Sequence, residues 1–232
     1  MSVIYIGGVP GTGKTLFITY LMKKKYRQEN NIFKRLFTKK RYINIFSNYP
    51  ILLDKNHYSY KCTLSDFNVF KKHIPDSDFV FDEFQSYYDS LDYKNFPKNI
   101  SKNFQFHRHF GIKDIYLISQ HPSRIVKQAR ILINEFYQIT RFVKIPFIGF
   151  GFLRYNIYFN FEDYGRSVNV KKDDVNYDFK KKFVFFKYKK VFKSYNTKYL
   201  RALVDDKPYI NTFNYDHIDL SLNDINKNFS VE

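Results

Sequence analysis

The residue types and spacing between positions 8 and 15 are suited to holding phosphate. The segment Gly8-Val9-Pro10-Gly11-Thr12-Gly13-Lys14-Thr15 fits the pattern G-x-x-x-x-G-K-[ST]. Its glycines let the backbone turn closely around an anion, and the N–H groups of such a loop and of a following helix point at phosphate oxygens. Lys14 adds a positive charge, and the Thr15 hydroxyl is a ligand for Mg²⁺. The segment predicts a site for a nucleoside triphosphate with Mg²⁺.

The elements around the segment are those that must position it. Residues 3–6 form an apolar, β-prone run, and residues 16–22 are compatible with a helix. Strand, glycine-rich turn and helix is the context in which this pattern binds phosphate.

An acidic pair supplies the other half of a hydrolytic site. Asp82 and Glu83 follow the apolar run Phe79–Phe81. At the end of a buried strand, Asp82 is placed to hold Mg²⁺ and Glu83 to act as general base on the attacking water. The chain has no Asn-Lys-x-Asp motif for reading guanine, which favours ATP as the nucleotide. The sequence thus predicts an ATPase.

Further polar residues flank the next apolar strand, residues 115–119. Gln120 ends that strand, where its side chain is placed to sense the γ-phosphate or the water. Arg108, Arg124 and Arg130 lie on either side of it, and one of them is a candidate arginine finger for a neighbouring subunit. We take Lys14, Glu83, Gln120, Arg108 and Arg130 as the candidate catalytic residues.

Histidines and the single cysteine raise a metal hypothesis that the spacing does not favour. His107, His109 and His121 match no common zinc pattern, and Cys62 has no second cysteine beside it. We expect packing or hydrogen-bonding roles for them, and a reducing compartment for the chain.

The charge of the chain favours polyanionic partners. The formal net charge is +17, from 39 Lys and Arg against 22 Asp and Glu. One basic block spans residues 22–61, and a second, residues 180–201, contains no acid. Such blocks favour contact with nucleic acid or an acidic membrane surface.

The order of elements predicts an α/β fold. Strands alternate with helices up to residue 143, including helices over 99–109 and 124–134 and a strand over 136–143, which implies a mostly parallel sheet covered on both faces. From Pro146 to Phe192 the pattern is β-rich and no helical period is evident. A short helix is expected from Asn196 to Val204. We divide the chain into a core (1–143), a small β-rich basic extension (144–204) and a polar tail (205–232).

Several segments, taken in order, form a recognisable pattern. They are Gly8–Thr15, Ser47-Asn48-Tyr49-Pro50, Asp82-Glu83-Phe84-Gln85, the run from His107 to Gln120, Arg130 and Ser194-Tyr195-Asn196-Thr197. With these residues the chain resembles the zonula occludens toxin family, whose members include assembly and export ATPases of filamentous phages.

The resemblance implies an additional-strand P-loop ATPase of the RecA/FtsK-like class. It further implies a homo-oligomeric motor that works with phage coat and assembly proteins to extrude single-stranded DNA. Many members continue into a transmembrane helix and an outer domain, which we do not find here. With no signal peptide, and with the stretch from Ile145 to Phe161 interrupted by polar residues, we expect a cytoplasmic protein whose membrane attachment is peripheral, supplied by another protein, or absent.

Other functions remain open at this point. The chain is alternatively a helicase or packaging ATPase that translocates directly on DNA, or a nucleotide-dependent scaffold that does not hydrolyse ATP. A small-molecule kinase is a weaker alternative, because no lid with clustered arginines is evident.

Overall fold

The computed structural model describes residues 1–29, 43–54, 57–68, 73–88, 94–169 and 179–195. The expected helix from Asn196 to Val204, the polar tail and much of the first basic block lie outside the described residues.

An eight-stranded sheet forms the centre of the structure, in the order β10-β9-β8-β1-β7-β6-β2-β5. The strands from β8 to β5 in this order are mutually parallel, whereas β9 and β10 are antiparallel additions beside β8. A separate antiparallel pair joins β3 to β4. The strands are β1 (Ser2–Gly7), β2 (Asn44–Ser47), β3 (Leu52–Asp54), β4 (His57–Tyr58), β5 (Tyr60–Lys61), β6 (Ser77–Phe81), β7 (Ile112–Ile118), β8 (Glu135–Ile145), β9 (Phe150–Tyr158) and β10 (Phe179–Phe186).

Helices cover both faces of the sheet, as the continuous apolar runs of its central strands require. One face packs against α1 and α6, and the other packs against α2, α3, α4 and α5. Their bounds are α1 (Lys14–Glu29), α2 (Leu64–Asn68), α3 (Lys98–Gln105), α4 (Lys127–Arg130), α5 (Phe161–Asn169) and α6 (Tyr188–Phe192), with single 3-10 turns at Phe84–Ser86, His107–Phe110 and Pro122–Arg124. The predicted α/β class with a mostly parallel sheet is confirmed.

Two predicted helices are shorter than expected. The first ends at Gln105, and a 3-10 turn then leads to Gly111, whose φ of 75° stops the helical path. The second is reduced to α4 because Ile125 and Val126 adopt extended backbone and bury their side chains in the core. Extended backbone at these two positions separates the 3-10 turn from α4.

The prediction that no helix lies between Pro146 and Phe192 is wrong. Both α5 and α6 fall in this segment. Asn160 begins α5, because its Oδ1 accepts a hydrogen bond from the Asp163 N–H (2.7 Å), an N-cap that satisfies a free donor of the first turn. The helix buries Tyr164 edge-on against Tyr5.

The β-rich extension is continuous with the central sheet. Strand β8 runs across residue 143, the predicted end of the core, and β9 and β10 pair alongside it. The division at that residue stays a prediction. Among the described residues, no helix combines the length and the apolar character needed to cross a bilayer.

Candidate nucleotide-binding site

The glycine-rich segment forms a closed loop between β1 and α1. The Thr12 hydroxyl donates to the Val9 carbonyl (2.8 Å), and Phe17 N–H donates to the Gly13 carbonyl (2.8 Å) at the start of the helix. Gly13 has a φ of 93°, in the left-handed region that favours glycine. At Gly8 a Cβ would stand 2.8 Å from the Ile139 carbonyl oxygen, so both positions require glycine.

The Lys14 side chain bends back into this loop. Its ammonium donates to the carbonyls of Gly8 (2.9 Å) and Val9 (3.4 Å) and is largely buried. Burial lowers the Lys14 pKa, and the nearby charges of Glu83 and Asp82 oppose that shift. The positive charge is therefore held on the concave side of the loop, where phosphate oxygens are able to replace the carbonyl acceptors.

Thr15 and Asp82 meet at the end of the sheet. The Thr15 hydroxyl donates to Asp82 Oδ2 at 2.7 Å. Asp82 follows β6, the second strand from β1 in the sheet, and is almost fully buried. Burial raises the Asp82 pKa to about 6, although the Thr15 hydrogen bond acts against the increase. Two adjacent hard oxygen ligands are the donor set that Mg²⁺ prefers, so these residues fit the predicted ion.

Asn48 fixes the backbone of Asp82 from the neighbouring strand. Its Oδ1 accepts from the Asp82 N–H (2.9 Å), and its Nδ2 donates to the Asp82 carbonyl (2.8 Å). The same Nδ2 lies 3.2 Å from the Tyr87 hydroxyl. Asn48 was not among the predicted site residues. It follows β2, and polar residues at the carboxyl ends of parallel strands were the signal that identified Gln120.

Glu83 has an unusual backbone conformation beside Asp82. Its φ and ψ are 49° and 45°, in the left-handed region that non-glycine residues rarely adopt. The Glu83 N–H donates to Asp82 Oδ1 (2.9 Å), and Gln85 Nε2 donates to Glu83 Oε2. This conformation turns the chain sharply after β6, and both carboxylates act electrostatically on Lys14.

Gln120 joins the loop on the other side. It lines a cleft of about 430 Å³ together with Gly8, Val9 and Pro10. The Arg124 Nη1 donates to Gln120 Oε1 at 3.3 Å. The structure thus brings Gln120 and Arg124 to the same edge of the sheet as the loop.

Arg108 lies away from the loop, whereas Arg130 acts electrostatically on His121, which lines the same cleft as Gln120. Arg108 precedes β7 and donates to the Met1 carbonyl (3.0 Å), at the edge of the sheet opposite to the loop. The Arg130 guanidinium lies 4.9 Å above the Phe161 ring. Because of these positions, Arg108 does not reach the loop of its own chain, and a role in a neighbouring subunit stays a prediction for both.

The histidines do not come together. His107 and His121 lie at opposite ends of β7, where their Nδ1 atoms contact the Phe104 carbonyl (2.6 Å) and the Ser123 hydroxyl (2.6 Å). Cys62 is buried in the core, and burial raises its pKa.

The fold and the loop define the class of the protein. A parallel sheet whose first strand enters a G-x-x-x-x-G-K-T loop and then a helix is the arrangement of the P-loop NTPases. Within this class the chain belongs to the zonular occludens toxin family, since the model of that family, Zonular occludens toxin (Zot), matches residues 2–195. The family predicted from the sequence motifs is confirmed.

Solved structures with similar folds have low sequence identity. The N-terminal domain of zonular occludens toxin from Neisseria meningitidis is 18% identical over 84% of this chain and 98% of its own, with a TM-score of 0.48. The genome packaging NTPase B204 from Sulfolobus turreted icosahedral virus 2, in complex with ATP-gammaS, is 11% identical over 62% of this chain and 77% of its own, with a TM-score of 0.40. Among curated proteins, none matches the chain.

Proposed function

We propose that this chain is an ATP-hydrolysing motor for the assembly and extrusion of filamentous phage particles, exporting single-stranded DNA together with coat protein. The observation that carries the hydrolytic part is the Thr15–Asp82 contact beside a complete phosphate loop. The phage role comes from membership of the family.

Each site residue has a separate task in this proposal. Lys14 binds the β- and γ-phosphates, and Thr15 and Asp82 hold Mg²⁺, which neutralises phosphate charge when bound. Glu83 takes the proton of the attacking water, and Gln120 orients that water. The backbone contacts of Asn48 keep Asp82 facing Thr15.

A basic groove supports contact with DNA. Lys23, Lys24 and Arg27 on α1 line a cleft of about 490 Å³ whose other wall carries Lys187 and Lys190. Burial, reinforced by the charges of Arg27 and Lys190, lowers the Lys23 pKa to about 8. The Lys23 ammonium is buried and donates to Ser194 Oγ (2.8 Å) and the Leu52 carbonyl. The cations available to a phosphate backbone are therefore the exposed ones, Lys24, Arg27, Lys187 and Lys190.

Homo-oligomerisation would complete the site. Arg108 is exposed at the edge of the sheet opposite to the loop, a position from which a subunit reaches a neighbour rather than itself. In a ring or stack of copies this arginine would stabilise the charge that develops during phosphoryl transfer. Arg130 is half-buried against Phe161 and is the second candidate. We place the assembly in the host cytoplasm, at the inner face of the membrane.

The test is genetic. Lys14→Ala or Glu83→Gln in the phage is expected to block particle release while DNA replication and coat-protein synthesis continue. Loss of replication would contradict an assembly role.

The basic groove also favours a second candidate, a helicase or packaging motor that acts directly on DNA. This candidate predicts strong stimulation of ATP hydrolysis by single-stranded DNA, with a steep dependence on salt. Turnover that does not change when DNA is added would favour coat protein as the moved partner.

A further inference from the structure

An apolar surface surrounds the turn between β8 and β9. We call it the hairpin surface, and it comprises Val143, Phe147, Ile148, Phe150, Phe152, Phe183 and Phe185. Phe147 is 100% exposed, Phe183 is 65% exposed and Ile148 is 62% exposed. A contiguous patch of several exposed apolar side chains marks an interaction site on a soluble protein.

The apex of the turn carries apolar residues although it faces solvent. Turn positions that face solvent are usually Gly, Asn, Asp or Ser, but here the sequence is Pro146-Phe147-Ile148-Gly149. Gly149 supplies the left-handed conformation, with a φ of 68°. The two central side chains pack against little of their own chain and point outward.

The turn of the hairpin lies beyond the last residues that β8 pairs with the central sheet. The pairing of β8 with β1 ends at Gln138, opposite Gly7. Strand β8 continues to Ile145, which at about 3.3 Å per residue places the turn roughly 20 Å beyond that pair. The apex is therefore able to enter another phase while the domain remains in water.

Cations lie beside the apolar residues, and the described segments that form this surface carry no acid. The Lys187 ammonium lies 5.5 Å from the Phe150 ring, and the Lys144 ammonium lies 5.5 Å from the Phe192 ring. Neither residues 136–161 nor residues 179–195 contain an Asp or Glu. Long lysine side chains that run along apolar surface and end in a charge match the boundary between lipid tails and anionic headgroups.

The arrangement of the rings favours lipid over nucleic acid. Phe150 and Phe185 stack on each other at 4.8 Å with an interplanar angle of 12°, and Phe152 and Phe183 do so at 5.7 Å and 28°. These rings already use faces that a base would need for stacking. Ile148 and Val143 offer no aromatic face.

We propose that the hairpin surface docks this protein on an anionic phospholipid bilayer, with Phe147 and Ile148 entering the interface. A second copy of the same surface would bring a matching positive rim, so charge complementarity favours an anionic partner. The proposal does not depend on ATP hydrolysis, because the loop residues Gly8–Thr15 are separate from the apex.

The composition of the chain provides a direct probe. The chain has no tryptophan, so Phe147→Trp places a single reporter at the apex. With vesicles containing about one third phosphatidylglycerol, we expect a blue shift of its emission and quenching by brominated lipid, both absent with neutral vesicles. The matched control is Phe106→Trp, an exposed phenylalanine near the start of β7, and its emission should not change.

Removal of the apolar apex tests the same surface without a reporter. Phe147→Ser/Ile148→Ser should weaken flotation with the anionic vesicles by about tenfold or more, since burial of one such side chain is worth at least ~1.4 kcal/mol. The control pair Phe106→Ser/Ile131→Ser removes the same two residue types at exposed positions elsewhere (50% and 69% exposed) and should bind as the wild type does. Both variants should retain ATP binding, which shows that they are folded.

Three results would overturn the proposal. The first is equal vesicle binding by the apex and control variants. The second is a blue shift of the Phe147→Trp emission on addition of single-stranded DNA in the absence of lipid. The third is a loss of self-association in Phe147→Ser/Ile148→Ser, which would assign the surface to a second copy. Lys14→Ala should bind vesicles normally, so failure of the docking proposal and failure of the ATPase proposal remain distinguishable.

Discussion

The Thr15 hydroxyl lies 2.7 Å from Asp82 Oδ2, although these residues come from the first helix and from the end of a strand two positions away in the sheet. The contact joins the phosphate loop to the acidic pair. It depends on the parallel arrangement of β1, β7 and β6, which brings the carboxyl ends of all three strands to one edge.

Asp82→Asn should weaken the binding of the Mg²⁺ ion that ATP hydrolysis requires. The substitution keeps the shape of the side chain but removes its charge, and we expect the Mg²⁺ concentration for half-maximal rate to rise about 10–100-fold. A Mg²⁺ titration of phosphate release measures the change. Asp76→Asn, in a surface ion pair with Lys113, is the matched control and should leave the titration unaltered.

The binding of Mg²⁺ and ATP should depend on pH around 6. Burial raises the Asp82 pKa from 3.8 to about 6, so the carboxyl is protonated in the folded protein over a pH range in which it is ionised in the unfolded chain. Its contribution to stability is therefore fully present below pH ~3.8 and is lost as pH rises through about 6. A bound cation requires the ionised form, so affinity should increase with pH through this window, with release of protons near pH 6.

Calorimetric titration in buffers of different ionisation enthalpy measures that proton release. Asp82→Asn should reduce it, leaving the protons released by the terminal phosphate of ATP, which also titrates in this range. Equal release by the wild type and the variant would show that another group titrates.

Asn48→Ala should reduce both stability and hydrolysis. The substitution leaves the buried Asp82 N–H and carbonyl without their partner, at a cost of about 1–3 kcal/mol in the free energy of unfolding. Denaturant unfolding measures the cost. Asn48→Asp keeps the acceptor for the Asp82 N–H but loses the donor and adds a negative charge beside Asp82. If this variant loses more hydrolysis than stability, Asn48 has a role in organising the site as well as in folding.

Single-stranded DNA should bind to the exposed cations of the basic groove. Lys23 is not one of them, because its side chain is buried and its ammonium donates to Ser194 Oγ (2.8 Å) and to the Leu52 carbonyl. Lys24→Gln/Lys187→Gln removes two exposed groove cations and should weaken binding and lower its dependence on salt. Fluorescence anisotropy with a labelled oligonucleotide measures the binding, and Lys113→Gln, outside the groove, is the control. Equal binding by the wild type and Lys24→Gln/Lys187→Gln would contradict the prediction.

Local patterns were enough to place the loop, Asp82 and Gln120 just after the ends of strands. In each case a polar residue or a glycine motif follows a short apolar strand, and parallel strands bring such positions to one edge. Asn48 also follows a strand, but its role depends on β2 lying beside β6, a long-range pairing that no local pattern determines. The position of Arg108 follows from its place before β7, which puts it at the edge opposite to Gln120.

The carboxyl-terminal half was less predictable for physical reasons. The signal for α5 was present in Asn160 and Asp163, a local N-cap, but alternating aromatic residues on both sides outweighed it. The segment also mixes apolar residues that face the core, such as Leu153, with apolar residues that face solvent, such as Phe183. A period of two in hydrophobicity therefore does not separate inside from outside, because the exposed face of this part of the sheet carries apolar residues as well as the covered face.

The most direct test of the central claim is phosphate release from ATP by the purified chain with Mg²⁺ and single-stranded DNA present, compared between wild type and Glu83→Gln. Both should bind ATP equally, because Lys14 and the loop are unchanged. The wild type should turn over, and the variant should be about 100-fold slower or more, since it lacks the general base. Absence of turnover in the wild type, or equal rates in the two proteins, would contradict the assignment of this site as an ATPase centre.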